Sequence, residues 1–134
     1  MAETSIFLAG NLTNDLELHH SPGGVTRATF RVAVSSRVRD GEGWRDGEPA
    51  FYSVVVWRDQ AVHAAESLAK GSRVVVVGWL QQRSWQAGDG SARSVVEVVA
   101  DELGPSLRWA AATTTRTRGP RAASRSWGLE VVTL

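Results

Sequence analysis

The chain has 134 residues, no cysteine and a formal net charge of +1; its length supports one hydrophobic core plus an appendage, not two cores. The missing thiols exclude a disulfide framework and a thiolate metal site, and the apolar runs, a few valines each, fall far short of the about 20 residues of a membrane span. Residues 1–20 lack the basic start and long apolar stretch of a secretory signal, so a cytoplasmic protein with no membrane partner is expected.

The near-neutral charge hides an asymmetry. Residues 110–134 hold Arg116, Arg118, Arg121 and Arg125 against Glu130, a net of +3, which leaves −2 for residues 1–109. A polyanion ligand would therefore need the basic groups sorted onto one surface. Six tryptophans stand against one tyrosine, and all basic residues but Lys70 are arginine. That choice suits planar contacts to phosphates and bases, although a GC-rich coding sequence produces the same bias.

In chain order, "TSIFLAGNL" reads as a first strand ending in a Gly-Asn break. "SPGG" at 21–24 is a turn signal. In the second strand Ala28, Phe30, Val32 and Val34 alternate with Thr29, Arg31, Ala33 and Ser35, which gives one buried face and turns Arg31 outward. The glycine-rich, doubly charged stretch from Arg37 to Pro49 reads as a long hairpin loop carrying Trp44.

Residues 51–57 form the third strand. Tyr52, Val54 and Val56 are assigned to the core, and Phe51, Ser53, Val55 and Trp57 to the other face, a groove floored by small residues between two rings. Asp59 is the expected cap of a short helix whose stripe is Ala61, Val62, Ala65, Leu68 and Ala69, closed at Gly71. "SRVVVVGWLQQRSW" is a long fourth strand in which Gly78 predicts a bulge or sharp bend. A turn at "QAGDGSA" and a last strand from "RSVVEVVADEL" follow, with residues 110–134 expected as a flexible, disordered Arg-containing tail. This order, with a helix between strands three and four, predicts an all-β fold: the five-stranded Greek-key barrel known as the OB-fold, over residues 1–109.

Catalysis is not expected, nor is a cofactor or metal. His19 and His20 are adjacent and point apart, His63 lies on the helix, and no carboxylate stands at ligand spacing with them. No nucleophile motif, Walker loop or dinucleotide fingerprint occurs. The informative pattern is aromatic and basic residues interleaved on neighbouring elements. Trp57, Trp85, Phe51 and Trp44 are the candidate base-stacking rings, and Arg31, Arg58, Arg73 and Arg83 the candidate phosphate contacts. The bland alternative stands beside this, because a tryptophan in so small a barrel can as readily fill the core or a subunit interface. Trp79, Trp109 and Trp127 stay between packing and binding. An OB-fold assembly or interaction module, or an oligosaccharide binder, would use the same rings.

Over about residues 4–109 the chain resembles the bacterial single-stranded DNA-binding proteins. "FLAGNLTNDLEL", "ATFRVAVSS" and "FYSVVVWRDQAVHAAESLAKGSRVVVVGWLQQRSW" recur in order, while "WRDGE" and "DELGPSLRW" look like the actinobacterial branch. The resemblance implies an OB-fold homotetramer that is nucleoid-associated, binds single-stranded DNA without sequence preference, and serves replication, recombination and repair, with Phe51, Trp57 and Trp85 as its stacking rings. A further family tryptophan falls near Val38, for which Trp44 is the candidate substitute. The family's Asp-Pro-Glu is Asp15-Leu16-Glu17 here, and the chain ends "SRSWGLEVVTL" rather than in an acidic tip. Recruitment of enzymes through such a tip is therefore not expected, and the pattern fits a specialised paralogue.

Overall fold

A computed structural model describes residues 3–117. Its elements are β1 (Ile6–Leu12), β2 (Glu17–His20), β3 (Thr26–Val34), β4 (Arg37–Asp40), β5 (Gly43–Asp46), β6 (Ala50–Trp57), α1 (Arg58–Ser67), β7 (Arg73–Gln86) and β8 (Ala92–Pro105). Strands β1, β7, β8, β6 and β3 neighbour one another in that order, and β1 pairs again with β3, so the sheet closes on itself. Neighbours are antiparallel except β6 and β8, which run parallel. This is the expected five-stranded barrel with its helix between the third and fourth barrel strands.

Closure depends on close backbone approach at two glycines. β1 pairs with β7 over Ile6–Asn11 and with β3 at Asn11 and Leu12; at this crossover a Cβ on Gly10 would collide with the Ala33 carbonyl. The predicted irregularity at Gly78 is present, with Val77 facing Glu102 and Gly78 facing Ala100, which leaves Asp101 as the extra residue on β8. A Cβ on Gly78 would strike the Val99 carbonyl. The bulge thus needs a glycine opposite it as well as a spare residue within it.

The barrel is filled by β-branched side chains from alternate strand positions. Val32, Val54, Val56, Val74, Val76 and Val98 are fully buried, joined by Leu8, Leu12 and Phe30. Each such burial favours folding by about 1.5–3 kcal/mol. The helix packs against β3 and buries Ala61, Ala64 and Leu68, so its inner stripe differs from the expected one: Val62 and Ala65 are half-buried and Ala69 is exposed. Asp59 is not the cap. The N-cap is Trp57, which makes no side-chain cap bond, and Asp59 lies in the first turn, where a negative charge still meets the positive end of the helix.

Three details go beyond the expectations or against them. The long hairpin loop expected from Arg37 to Pro49 is built as a regular hairpin, because Arg37–Asp40 and Gly43–Asp46 pair as a separate two-stranded ribbon turning at Gly41, whose φ is 61°. A short strand, β2, pairs with β3 across the "SPGG" turn. Val55 does not floor an open groove: it is 3% exposed, enclosed between Thr29 and Val99, which face it on either side. A central strand position has neighbours on both flanks, and alternation alone cannot register them. Of the expected tail, residues 110–117 carry no helix or strand and line a cleft with α1, Thr117 Oγ1 standing 3.1 Å from His63 Nε2. Residues 118–134, with Arg118, Arg121, Arg125 and Trp127, lie outside the described residues.

Candidate nucleic-acid interface

Residues directly opposite in a ladder share a sheet face, so the register defines the outer surface of β3, β6, β8 and β7. On β3 and β6 it pairs Arg27 with Trp57, Thr29 with Val55, Arg31 with Ser53 and Ala33 with Phe51. Val99 then faces both Val55 and Trp79. Along the hairpin that β7 and β8 extend beyond the barrel, Gln81 faces Glu97, Arg83 faces Val95, and Trp85 faces Arg93. Phe51, Trp57 and Trp85, three of the rings singled out in the sequence, therefore lie on one continuous face, at 50%, 43% and 44% exposure. Six residues of strand span about 20 Å, so Phe51 and Trp57 would meet different nucleotides.

Arginines accompany most of the rings. The Arg31 guanidinium lies 4.9 Å from the Phe51 ring centre, Arg83 4.8 Å from Trp85, and Arg39 5.7 Å from Trp44. Such cation–π contacts hold a ring by about 0.5–1 kcal/mol at exposed sites and leave its second face free for a base. Arg27, Arg31, Ser53, Arg83 and Glu97 line a cleft of about 540 Å³ between the rings. Its wall is braced from the β1–β2 turn, where Asn14 Oδ1 accepts the Arg31 backbone N–H at 3.2 Å and Thr13 N–H donates to the Arg31 carbonyl at 2.9 Å.

Arg58 stands where β6 runs into α1 with no linking residue. Its φ of 62° makes it the sole non-glycine with positive φ among the described residues. A left-handed conformation costs an L-residue roughly 1–2 kcal/mol, and strain of this kind concentrates at functional positions. The turn swings the chain into the helix directly after Trp57 and leaves both side chains exposed.

Two candidates lie elsewhere. Arg73 is ten positions before Arg83 on the same strand, about 33 Å away. It stacks 4.7 Å from Trp109, and its Nε is buried without a hydrogen-bond partner. The structure therefore does not bring Arg73 to the cleft. Trp44 sits on the ribbon facing Arg39, whereas Val38 faces Arg45, so Trp44 and Val38 project from opposite faces of the ribbon. A ring at 44 takes the place of one at 38 only if the ribbon turns over.

Arg27, Glu97 and Trp79 belong to this face and were not among the candidates. Arg27 was legible, because it shares the alternation that turned Arg31 outward. Trp79 was legible too, because it shares the odd-numbered alternation of β7 with Arg83 and Trp85, whereas Glu97 was not, since its place opposite Gln81 depends on the register of the β7–β8 hairpin. At the hairpin tip the Ser91 hydroxyl and backbone N–H donate to Asp89 Oδ1 at 2.6 and 2.9 Å. These bonds, the hydroxyl first, hold the Asp89 carboxyl below its ordinary value of 3.8 and keep the turn ordered while it is ionised. No described helix is long and apolar enough to cross a membrane.

Known proteins resemble this chain closely. The profile of the family described as "Single-strand binding protein family" matches residues 3–106. A single-stranded DNA-binding protein of Mycolicibacterium smegmatis is 48% identical over 112 residues, 82% of this chain and 68% of that protein. One of Bifidobacterium longum is 51% identical over 116 residues, 85% of this chain and 53% of that protein. Among solved structures, the small single-stranded DNA-binding protein from Streptomyces coelicolor superposes with a TM-score of 0.66 at 34% identity, covering 80% of this chain and 97% of that one.

Proposed function

Because the chain belongs to the single-strand binding protein family, we propose that it binds and protects single-stranded DNA without reading its sequence, as a non-catalytic, cytoplasmic, nucleoid-associated homotetramer acting in replication, recombination and repair. The observation that carries this reading is the single outer face on which Phe51, Trp57 and Trp85 stand exposed around a cleft lined by Arg27, Arg31 and Arg83. Every base has a flat face to offer such rings, so stacking tolerates all four bases. Arginines of the cleft that meet phosphates, Arg27 and Arg31, displace counterions, so affinity falls as salt rises.

Trp57 and Trp85 are the leading stacking residues and Phe51 the next. Arg31 and Arg27 supply phosphate contacts within the cleft, and Arg58 supplies one at its edge. Trp44 closes over the strand from the ribbon. Arg73, set against Trp109, has no geometric support as part of the same track.

Titrating the protein with oligo-dT at several salt concentrations tests the reading. Tryptophan emission is expected to quench on binding, and the apparent affinity to fall linearly on a double-logarithmic salt plot. Unchanged emission at low salt would refute it. If the rings instead formed a protein interface, Trp57→Ala would dissociate the oligomer and spare DNA affinity.

A further inference from the structure

The cleft contains two carboxylates, Glu17 at its β2 edge and Glu97, that do not suit a polyanion, and of the two only Glu97 pairs with an arginine of the cleft. Glu97 lies on its floor with its side chain only 12% exposed, and Arg83 Nε donates to Glu97 Oε1 at 3.0 Å. The same guanidinium lies over the Trp85 ring at 4.8 Å. Arg83 is thus held between a carboxylate and an aromatic face, while Arg27, which lines the same cleft, forms no ion pair among the described residues.

We propose that Glu97 sets which arginines of the cleft neutralise phosphate: it takes the place of a backbone phosphate for Arg83, which then acts as a positioning residue for Trp85, and leaves the phosphates to Arg27 and Arg31. The inference rests on the reading that this face binds single-stranded DNA. An ion pair presents a dipole rather than a net charge to its surroundings, so its field at a passing phosphate is small. The exposed side of the Glu97 carboxylate repels that phosphate in addition. Counterion release follows the number of phosphates neutralised, with a slope of about −0.7 per contact on single strands. Arg83 should therefore contribute almost nothing to the salt dependence, although it lies in the groove. Holding one cation back lowers affinity and raises the dissociation rate, because affinity differences between related complexes reside mainly there.

Glu97→Gln keeps the shape and the hydrogen-bond acceptor but removes the charge. In oligo-dT titrations of the full-length protein it is expected to steepen the salt slope by about 0.7. Affinity at low salt should rise about three- to tenfold, mostly through slower dissociation. Arg83→Gln alone uncovers the Glu97 carboxylate, so it reports on the ring and should reduce the quenching that Trp85 contributes; combined with Glu97→Gln it should abolish the gain. A slope unchanged or shallower in Glu97→Gln overturns the proposal, and so does a steeper slope that persists in the double variant. If the unaltered protein failed to bind oligo-dT at all, the functional reading and this inference would fall together; normal binding with an unsteepened Glu97→Gln slope removes this inference alone.

Discussion

Trp57 and Arg58 are consecutive residues with opposed demands. Trp57 is 43% exposed on the cleft face with Arg27 directly across the ladder. Replacing it with alanine removes a stacking platform, and Trp57→Ala is expected to weaken oligo-dT binding by about 1–3 kcal/mol with the oligomer intact, as measured by titration beside sedimentation. Arg58 carries the backbone strain that turns the strand into the helix. Glycine adopts that conformation without steric cost, so Arg58→Gly should raise the melting temperature by about 4 °C, corresponding to about 1 kcal/mol, and still reduce affinity through the lost guanidinium. Arg58→Ala keeps the strain and loses the charge, so it should reduce affinity with no gain in melting temperature.

The elements differ in how firmly they are held. The β4–β5 ribbon is exposed along both strands, and its ion pairs, Arg45–Asp40 at 3.3 Å and Arg37–Asp46 at 3.9 Å, are exposed as well. Such pairs contribute about 0–1 kcal/mol, and a lone two-stranded hairpin is marginally stable. Holding so weakly braced a ribbon against a strand of DNA would offset part of any stacking gain at Trp44, so Trp44→Ala is expected to cost less than Trp57→Ala in the same titration, under about 1 kcal/mol. The barrel strands behave oppositely. At Gly78 even a methyl group meets the Val99 backbone, which closure holds in place; Gly78→Ala should destabilise the fold by at least about 3 kcal/mol, read from denaturant unfolding. The hairpin beyond Leu80 and Val98 buries nothing on β7, so it relies on its ladder and on the Asp89–Ser91 turn to keep Trp85 in place.

For the whole molecule, charge is distributed rather than abundant. Residues 1–109 carry a net −2, yet Arg27, Arg31 and Arg83 converge on one cleft. Away from it, Phe7 and Val77 face each other across β1 and β7 and remain 67% and 45% exposed. Side-by-side exposed apolar groups suit a contact surface, and they offer the proposed oligomer a seat that leaves the cleft open. Phe7→Glu is expected to lower the sedimenting mass while each subunit keeps its helix and its tryptophan quenching. An unchanged mass would place the subunit contact elsewhere.

The amino-acid sequence carried the barrel only through its order of elements and its family resemblance; the faces of the strands and the bend at Gly78 follow from the two-residue period of a strand and from glycine's missing side chain, both local. It also put Phe51 and Trp57 on one face and Arg31 outward. Tertiary structure alone decided that Val55 is enclosed, that Glu97 occupies Arg83, and that Arg73 belongs with Trp109. Val55 is set between Thr29 and Val99, Glu97 beside Arg83 by the register of the β7–β8 hairpin, and Arg73 against Trp109 beyond the end of β8; each is a relation between residues apart in sequence that no local period expresses. Alternation tells a side chain which way to face, but only register tells it what it faces.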